Sequence, residues 1–196
     1  MMKKYAVIIL SAGNSSRLGQ PKQLLQYKGK TLLENIASEA LKIPSANTII
    51  VTGAQKSELE KVVANMGIYF CDNNNWQFGM SSSIKRGLEK ALEINKETEA
   101  VLLCVSDQPF VDGDLLQNLI STFEETKKIT ASFYNETPGT PAVFPKQFFS
   151  ELSDLDGKEG AKKILKAHQN DLSLIPFEKG AIDIDTIEDY KKLADL

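Results

Sequence analysis

The chain has 196 residues, of which 42% are hydrophobic and 25% are charged, and its formal net charge is −3. This length suits a single domain over residues 1–196, and the composition is that of an ordinary globular protein. The slightly negative charge excludes a global basic surface for nucleic acid. No apolar run reaches membrane length, and the first residues lead into a strand without a cleavable signal pattern, so we expect a cytoplasmic protein that binds neither nucleic acid nor membrane.

Strand and helix patterns alternate along the first two thirds of the chain. Short apolar runs predict buried strands at Tyr5–Leu10, Thr48–Val51, Ile68–Cys71 and Ala100–Val105. Helical spacing predicts helices from Thr31 to before Pro44, over Ser57–Asn65, from Met80 to Leu92, and over Gly113–Lys127. The pattern therefore predicts an α/β protein with one doubly wound, mostly parallel sheet and helices on both faces. Ligands of such sheets bind beyond the carboxyl ends of the strands.

Shorter elements follow. We expect strands at Thr130–Tyr134 and Gly139–Phe144, and a helix at Lys162–Ala167. Ile182–Thr186 alternates like a strand, which would put Asp183 and Asp185 on one face. Thr186 with Asp189 three residues later predicts the start of a last helix.

The loop after the first strand carries the clearest chemical signal. It reads S-A-G-N-S-S-R-L-G-Q-P-K over residues 11–22. Gly13 and Gly19 allow a ligand to approach the backbone closely, and Arg17 and Lys22 supply a planar and a compact cation. Small residues, hydroxyl groups and two cations together indicate a polyphosphate ligand, hence a nucleotide. The glycine spacing fits neither of the two best-known phosphate-binding loops.

Two other segments carry candidate ligand groups. Asp107 follows the most strand-like run of the chain, so its carboxylate is expected at the mouth where the sheet binds ligands, and hard oxygen ligands suit Mg²⁺. The stretch G-M-S-S-S over residues 79–83 opens a helix, whose free N–H groups the serines could cap or an anion could face. Arg86 lies one turn further on, beside this second candidate phosphate site. Cys71 and Cys104 fit no metal or redox spacing and are expected as buried free thiols.

The first loop resembles the L-A-A-G-x-S-x-R-x-G-x-P-K signature of the nucleotidyltransferases related to molybdenum cofactor cytidylyltransferase and guanylyltransferase, with Ser11 in place of the usual alanine. The G-M-S-S-S stretch, the D-x-P at residues 107–109, the G-x-P-x-x-F at 139–144 and the D-I-D-T at 183–186 also resemble segments of that family. The Asp156-Gly157 segment reverses the family's Gly-Asp order, which leaves its role open. The resemblance covers essentially the whole chain and implies the Rossmann-like nucleotidyltransferase fold.

The resemblance also implies roles for individual residues. Nucleotide contacts would come from Ser11, Ala12, Gly13, Arg17, Lys22, Gly79, Ser81 and Ser82. Arg17 would hold the departing β- and γ-phosphates, and Lys22 would reach the α-phosphate and the acceptor. Asp107 and Asp185 would hold Mg²⁺, and Asp107 joins Arg17 and Lys22 as a catalytic residue.

The implied reaction is Mg²⁺-dependent nucleotidyl transfer from a nucleoside triphosphate to a phosphorylated acceptor, with release of pyrophosphate. The first loop and the G-M-S-S-S stretch look more like the cytidylyl than the guanylyl branch, which favours CTP and a molybdopterin-type acceptor. Contact with a molybdoenzyme or its maturation factor would follow. Open alternatives are guanylyl transfer, transfer to a sugar phosphate or another small phosphorylated alcohol, and a non-catalytic nucleotide or pterin carrier.

Overall fold

The computed structural model describes residues 3–15, 18–157, 160–184 and 186–194. Its main sheet consists of Tyr5–Leu10 (β1), Ala46–Thr52 (β4), Tyr69–Asp72 (β5), Ala100–Val105 (β6), Ile129–Tyr134 (β7), Thr137–Pro145 (β8) and Leu172–Pro176 (β9). A separate hairpin pairs Gln26–Tyr27 (β2) with Lys30–Thr31 (β3). The α-helices are Leu32–Ala40 (α1), Lys56–Val63 (α2), Met80–Ile94 (α3), Gly113–Thr126 (α4), Phe149–Ser153 (α5), Lys162–Ala167 (α6) and Ile187–Ala194 (α7).

The strand order explains where a ligand can bind. The sheet runs β5-β4-β1-β6-β8-β7-β9, and β1 pairs in parallel with both β4 and β6. The chain first moves outward from β1 to β4 and β5, then returns to the other side of β1 as β6. This reversal opens a crevice between the carboxyl ends of β1 and β6, the place where doubly wound sheets bind ligands.

Both faces of the sheet are covered by helices, as the strand pattern predicts. Ala6, Ile8 and Leu10 of β1 pack into the cluster that contains residues of α3, α5 and α6. The alternate residues Val7 and Ile9 pack into the cluster that contains residues of α1, α2 and α4. Because β1 is buried on both faces along its whole length, it is a rigid support for the loop that follows it.

Local sequence signals explain several helix starts. Thr31 and Glu34 form the predicted capping box, in which the Glu34 amide donates to the Thr31 hydroxyl over 3.1 Å. Asp112 accepts from the Leu115 amide at the start of α4. Thr186 and Asp189 bond reciprocally at the start of α7, as predicted.

The structure differs from the sequence interpretation near the carboxyl end. Residues 182–184 are not in a strand, so the prediction of a strand there is wrong. The backbone amide of Ile184 instead donates to the carbonyl of Asp107 over 3.2 Å, which docks the segment on the loop after β6. The edge strand β9 is not among the predicted strands, because its residues lack an uninterrupted apolar run; three of them are half-buried and two are exposed. No helix of the described ranges is long and apolar enough to span a membrane.

Candidate nucleotide-binding cleft

A cleft of about 300 Å³ lies at the carboxyl ends of β1 and β6. Its walls come from the first loop, the loop after β6, and the turn that leads into α3. The lining residues are Leu10, Ser11, Ala12, Gly13, Asn14, Lys22, Gln23, Trp76, Gln77, Gly79, Met80, Ser83, Val105, Ser106 and Asp107. The cleft therefore occupies the crevice that the strand order predicts.

The described part of the first loop is fixed to the sheet by its own backbone. The Ser11 amide donates to the carbonyl of Val51 on β4 over 3.0 Å, and the Ala54 amide donates to the Ala12 carbonyl over 3.2 Å. Gly53 lies so close beneath the loop that a Cβ atom there would be 2.8 Å from the Ala12 carbonyl oxygen. A larger residue at this position would push the loop out of place.

Gln23 is a buried residue of the cleft that the sequence analysis did not single out. It is only 1% exposed. Its Nε2 donates to the carbonyl of Ser11 over 3.2 Å and to that of Gly13 over 3.0 Å. Its Oε1 accepts from the hydroxyl of Ser15 over 3.4 Å. One amide side chain thus ties three positions of the first loop together, and only the folded loop reveals this role.

The two predicted catalytic groups that the structure describes are in direct contact. The Lys22 ammonium forms an ion pair with Oδ2 of Asp107 across the cleft. The two side chains are 19% and 18% exposed, and both line the cleft. The ion pair is therefore largely shielded from solvent but open to a ligand in the cleft. Within the described residues, Oδ1 of Asp107 is buried and accepts no hydrogen bond. The carboxylate therefore keeps one oxygen available for a further cation.

The surroundings of Asp107 fit part of a magnesium site. A carboxylate oxygen without a donor is a suitable ligand for Mg²⁺, which needs only one or two carboxylates and completes its shell with water and phosphate oxygens. The Ile184 contact brings the D-I-D-T segment to the same loop, but Asp185, the second predicted ligand, lies outside the described residues. No three described His, Cys, Asp or Glu side chains converge into a metal site.

The wall opposite Asp107 is built from the turn before α3. Asn73 is buried and donates through Nδ2 to the hydroxyls of Ser82 and Ser83 over 2.9 and 3.0 Å. Gly79 has a φ of 103°, a conformation that side chains strongly disfavour, and the helix begins immediately after it. Gly79, Met80 and Ser83 thus bring the first turn of α3, with its unpaired N–H groups, to the cleft.

The other predicted ligand residues have different surroundings. Ser81 donates to the carbonyl of Gly157 over 2.7 Å, and Ser82 donates to the carbonyls of Asn75 and Gly79. Neither serine is among the residues that line the cleft. Arg17 lies outside the described residues.

Arg86 is not a residue of the cleft. Its guanidinium donates to Glu93 over 3.2 Å and to Glu89 over 3.4 Å on the exposed side of α3, and its Nε donates to the carbonyl of Asp72. The sequence leaves the role of Arg86 open, and in the structure Arg86 is not among the residues that line the cleft. The i,i+3 and i,i+7 spacing of the two glutamates on the same helix accounts for its position.

The loop after β6 is braced from behind by Gln108. Its Nε2 donates to the carbonyls of Gly180 and Thr140 over 3.0 and 3.1 Å, and to the hydroxyl of Tyr134 over 3.3 Å. Burial raises the pKa of Tyr134, so this hydroxyl keeps its proton and donates in turn to the Thr140 carbonyl. Gln108 thereby holds its neighbour Asp107 against β8 and the segment after β9.

These features together define an α/β protein with a candidate ligand-binding cleft at the switch point of a mostly parallel sheet. The chain belongs to the family described as MobA-like NTP transferase domain, whose model matches residues 7–172. It is thus a member of a nucleotidyltransferase family, as the sequence resemblance implied.

Individual relatives agree with the family. The chain is 27% identical over 199 residues to purine catabolism protein PucB of Bacillus subtilis (strain 168), covering 93% of this chain and 92% of that protein. Among solved structures, Rv0371c from Mycobacterium tuberculosis H37Rv superposes with a TM-score of 0.84 at 25% identity, with both chains covered completely. A complex of Rv0371C with manganese gives 0.82 at 24% identity over 98% of each chain.

A more distant structural neighbour is molybdopterin-guanine dinucleotide biosynthesis protein A from Archaeoglobus fulgidus. It superposes with a TM-score of 0.69 at 19% identity and covers 97% of each chain. At this identity the likeness establishes a common fold. The predicted fold class, a mostly parallel doubly wound sheet of the nucleotidyltransferase type, is confirmed.

Proposed function

We propose that this protein transfers a nucleotidyl group from a nucleoside triphosphate, with CTP favoured, to a phosphorylated acceptor of the molybdopterin type in the presence of Mg²⁺. The observation that carries the proposal is the Lys22–Asp107 ion pair at the switch point, where a cation from the first loop meets a carboxylate from the loop after β6. The family supports nucleotidyl transfer. CTP and the pterin acceptor follow from the sequence resemblance.

The reaction needs alignment and charge neutralisation more than covalent help from the protein. A phosphate oxygen of the acceptor attacks the α-phosphorus of the triphosphate, the bond to the bridging oxygen breaks, and pyrophosphate leaves with its electron pair. An acceptor phosphate is already ionised at neutral pH, so no general base is required. Catalysis then depends on in-line positioning and on cations beside the phosphoryl oxygens.

We propose the following roles, of which those of Lys22 and Asp107 rest on the geometry and those of Arg17 and Asp185 on the family resemblance. Lys22 turns from Asp107 to the α-phosphate when a triphosphate enters, because both its partner and the new anion lie in the same cleft. Asp107, and Asp185 by family resemblance, would hold Mg²⁺; when bound, this ion neutralises charge on the phosphoryl oxygens. Arg17 is proposed to hold the departing pyrophosphate.

The acceptor has a candidate site beside the cleft. A second chamber of about 230 Å³ shares Leu10, Met80 and Val105 with the nucleotide cleft. Its remaining walls are Ile84, Leu103, Thr140, Ala161, Lys162 and Leu165. Because the two substrates must meet at the α-phosphorus, we propose that the body of the acceptor lies in this chamber, with its phosphate toward Lys22. A cytoplasmic location and contact with a molybdoenzyme or its maturation factor belong to the same proposal.

The test is pyrophosphate release from purified protein with Mg²⁺, a molybdopterin-type acceptor and each of CTP, GTP, ATP and UTP in turn. We expect release with CTP. Release with GTP alone would keep the reaction and overturn the choice of base. If none of the four triphosphates gave pyrophosphate while calorimetry still showed CTP binding, the molybdopterin-type acceptor would be the wrong choice. Sugar phosphates would then be tested as acceptors. Binding without turnover on any acceptor would favour the non-catalytic carrier.

A further inference from the structure

We infer that Gln23 is a positioning residue, which turns the carbonyl groups of Ser11 and Gly13 away from the ligand and the N–H groups of Ala12 and Asn14 toward it. The inference rests on the proposed nucleotide site and adds the chemical class of ligand edge that the loop accepts. That edge is rich in hydrogen-bond acceptors, such as phosphate oxygens or the O2 and N3 side of a cytosine.

The direction of the loop's amides follows from its carbonyls. In a trans peptide, the N–H of one residue points opposite to the C=O of the residue before it. The carbonyls of Ser11 and Gly13 both point to Nε2 of Gln23. The N–H groups of Ala12 and Asn14 must therefore point away from Gln23.

The N–H of Gly13, which lies between those of Ala12 and Asn14, is oriented by a different hydrogen bond. The Ala12 carbonyl accepts from the Ala54 amide, so the N–H of Gly13 points away from Ala54. Among the described hydrogen bonds, none gives an acceptor to the N–H groups of Ala12, Gly13 or Asn14. All three residues line the cleft, Gly13 and Asn14 are exposed, and the space beside Gly13 is open to at least 4 Å.

The polar atoms of the buried Gln23 side chain all have hydrogen-bond partners. A buried amide without partners costs stability, and here both ends are occupied: Nε2 by two carbonyls and Oε1 by the Ser15 hydroxyl. The Ser15 oxygen also accepts from the backbone amide of Lys22 over 3.0 Å. The N–H groups of Ala12, Gly13 and Asn14 are called the amide row below. Through Ser15, Gln23 links this row to Lys22, which carries the ammonium group of the cleft.

Two substitutions separate the donor from the shape of the side chain. Gln23→Met keeps a similar length and removes every hydrogen bond. Gln23→Glu keeps a carboxylate oxygen that accepts from the Ser15 hydroxyl. Its other oxygen replaces the donor Nε2 and faces the carbonyl oxygens of Ser11 and Gly13, which it repels. Ser132→Ala is the control, because it removes another buried bond, from the Ser132 hydroxyl to the Pro141 carbonyl, away from the first loop.

The experiment is calorimetry of CTP, cytidine and tripolyphosphate on each variant, with Mg²⁺ present and the melting temperature measured alongside. We expect both Gln23 variants to bind CTP about tenfold more weakly or worse, as for the loss of one or two hydrogen bonds, with Gln23→Glu the weaker binder. Ser132→Ala is expected to melt earlier and bind CTP like the wild type. With a working acceptor, KM for CTP should rise while KM for the acceptor stays unchanged.

The two shorter ligands identify which part of CTP the amides hold. Weaker tripolyphosphate binding assigns the amide row to phosphate, and weaker cytidine binding assigns it to the base; either supports the inference. Unchanged CTP affinity in a folded Gln23→Glu or Gln23→Met protein would overturn the inference and leave the proposed function standing. If the wild type bound none of CTP, GTP, ATP and UTP, the proposed function would fall, and the inference that rests on it would fall with it.

Discussion

Lys22 and Asp107 are 85 residues apart in the chain and form an ion pair across the cleft. Lys22 is the last residue of the first loop and the first residue of a short 3₁₀ turn, and Asp107 follows β6. Since β1 and β6 are neighbouring parallel strands, their carboxyl ends bring the two loops to the same edge of the sheet. The pair therefore joins the two halves of the fold at the point where a ligand enters.

The Lys22→Ala variant should lose most of its turnover. Without the ammonium group, no described cation stands at the Asp107 side of the cleft, and the loss of one such electrostatic contact costs on the order of 10²-fold in kcat. Lys22→Arg should recover only part of the activity, because a planar fork does not replace a compact charge. Steady-state kinetics measure this. Lys61→Ala, on the exposed side of α2, is the control, and equal kcat values for Lys22→Ala and the control would contradict the assigned role.

Arg86→Gln should leave nucleotide affinity and turnover unchanged. Its ion pairs with Glu89 and Glu93 lie on the exposed face of α3, where such pairs contribute about 0–1 kcal/mol to the free energy of unfolding. Calorimetry with CTP and urea unfolding measure the two quantities. A marked loss of CTP affinity would contradict this prediction and indicate that Arg86 contacts the nucleotide.

Gly87→Ala should destabilise the protein. A Cβ atom there would lie 2.5 Å from Cγ2 of Ile8, a fully buried branched residue of β1 that has no room to move. Overpacking of this kind costs about 1–3 kcal/mol, against a gain of about 0.5–1 kcal/mol from replacing a helical glycine. Gly113→Ala is the matched control, because the nearest atom to a Cβ there is Cδ of Lys42, 2.8 Å away on an exposed, flexible side chain that can move. Equal urea midpoints for the two variants would refute the close packing of α3 on β1.

The buried thiols make the fold less stable at high pH. Burial raises the pKa of Cys71 to about 11 and raises the pKa of Cys104 as well. An unfolded thiol ionises near pH 8.5, so above about that pH the unfolded chain releases protons that the folded chain keeps. The stability contributed by the thiols is therefore complete below this pH and is lost as the pH rises toward the folded pKa. Urea unfolding between about pH 7.5 and 10 should show the decline, and it should be shallower in Cys71→Ala.

The structure confirms the predictions that rest on local sequence. The buried strands β1 and β6, the capping boxes at Thr31 and Thr186, and the position of Asp107 follow from apolar runs and from the rule that ligands bind at strand ends. These features depend on residues that are close together in sequence or on a general property of parallel sheets.

The remaining features depend on contacts that only the folded chain shows. Alternation at Ile182–Thr186 resembles a strand, yet Ile184 bonds to the loop after β6 and not to a neighbouring strand. Arg86 lies close to the G-M-S-S-S stretch in sequence, but in the structure its guanidinium pairs with Glu89 and Glu93 on the same helix. Gln23 has no distinctive motif, because its function depends on the folded path of the loop above it.

The most direct test of the account is pyrophosphate release with Mg²⁺, CTP and acceptor, compared between the wild type and Asp107→Asn. Asparagine keeps the size of the side chain but removes the charge that pairs with Lys22 and that would hold the metal ion. We expect a folded variant, by circular dichroism and melting temperature, whose turnover falls at least about 10²-fold. A folded Asp107→Asn protein that releases pyrophosphate at the wild-type rate would contradict the assignment of this cleft as the site of nucleotidyl transfer.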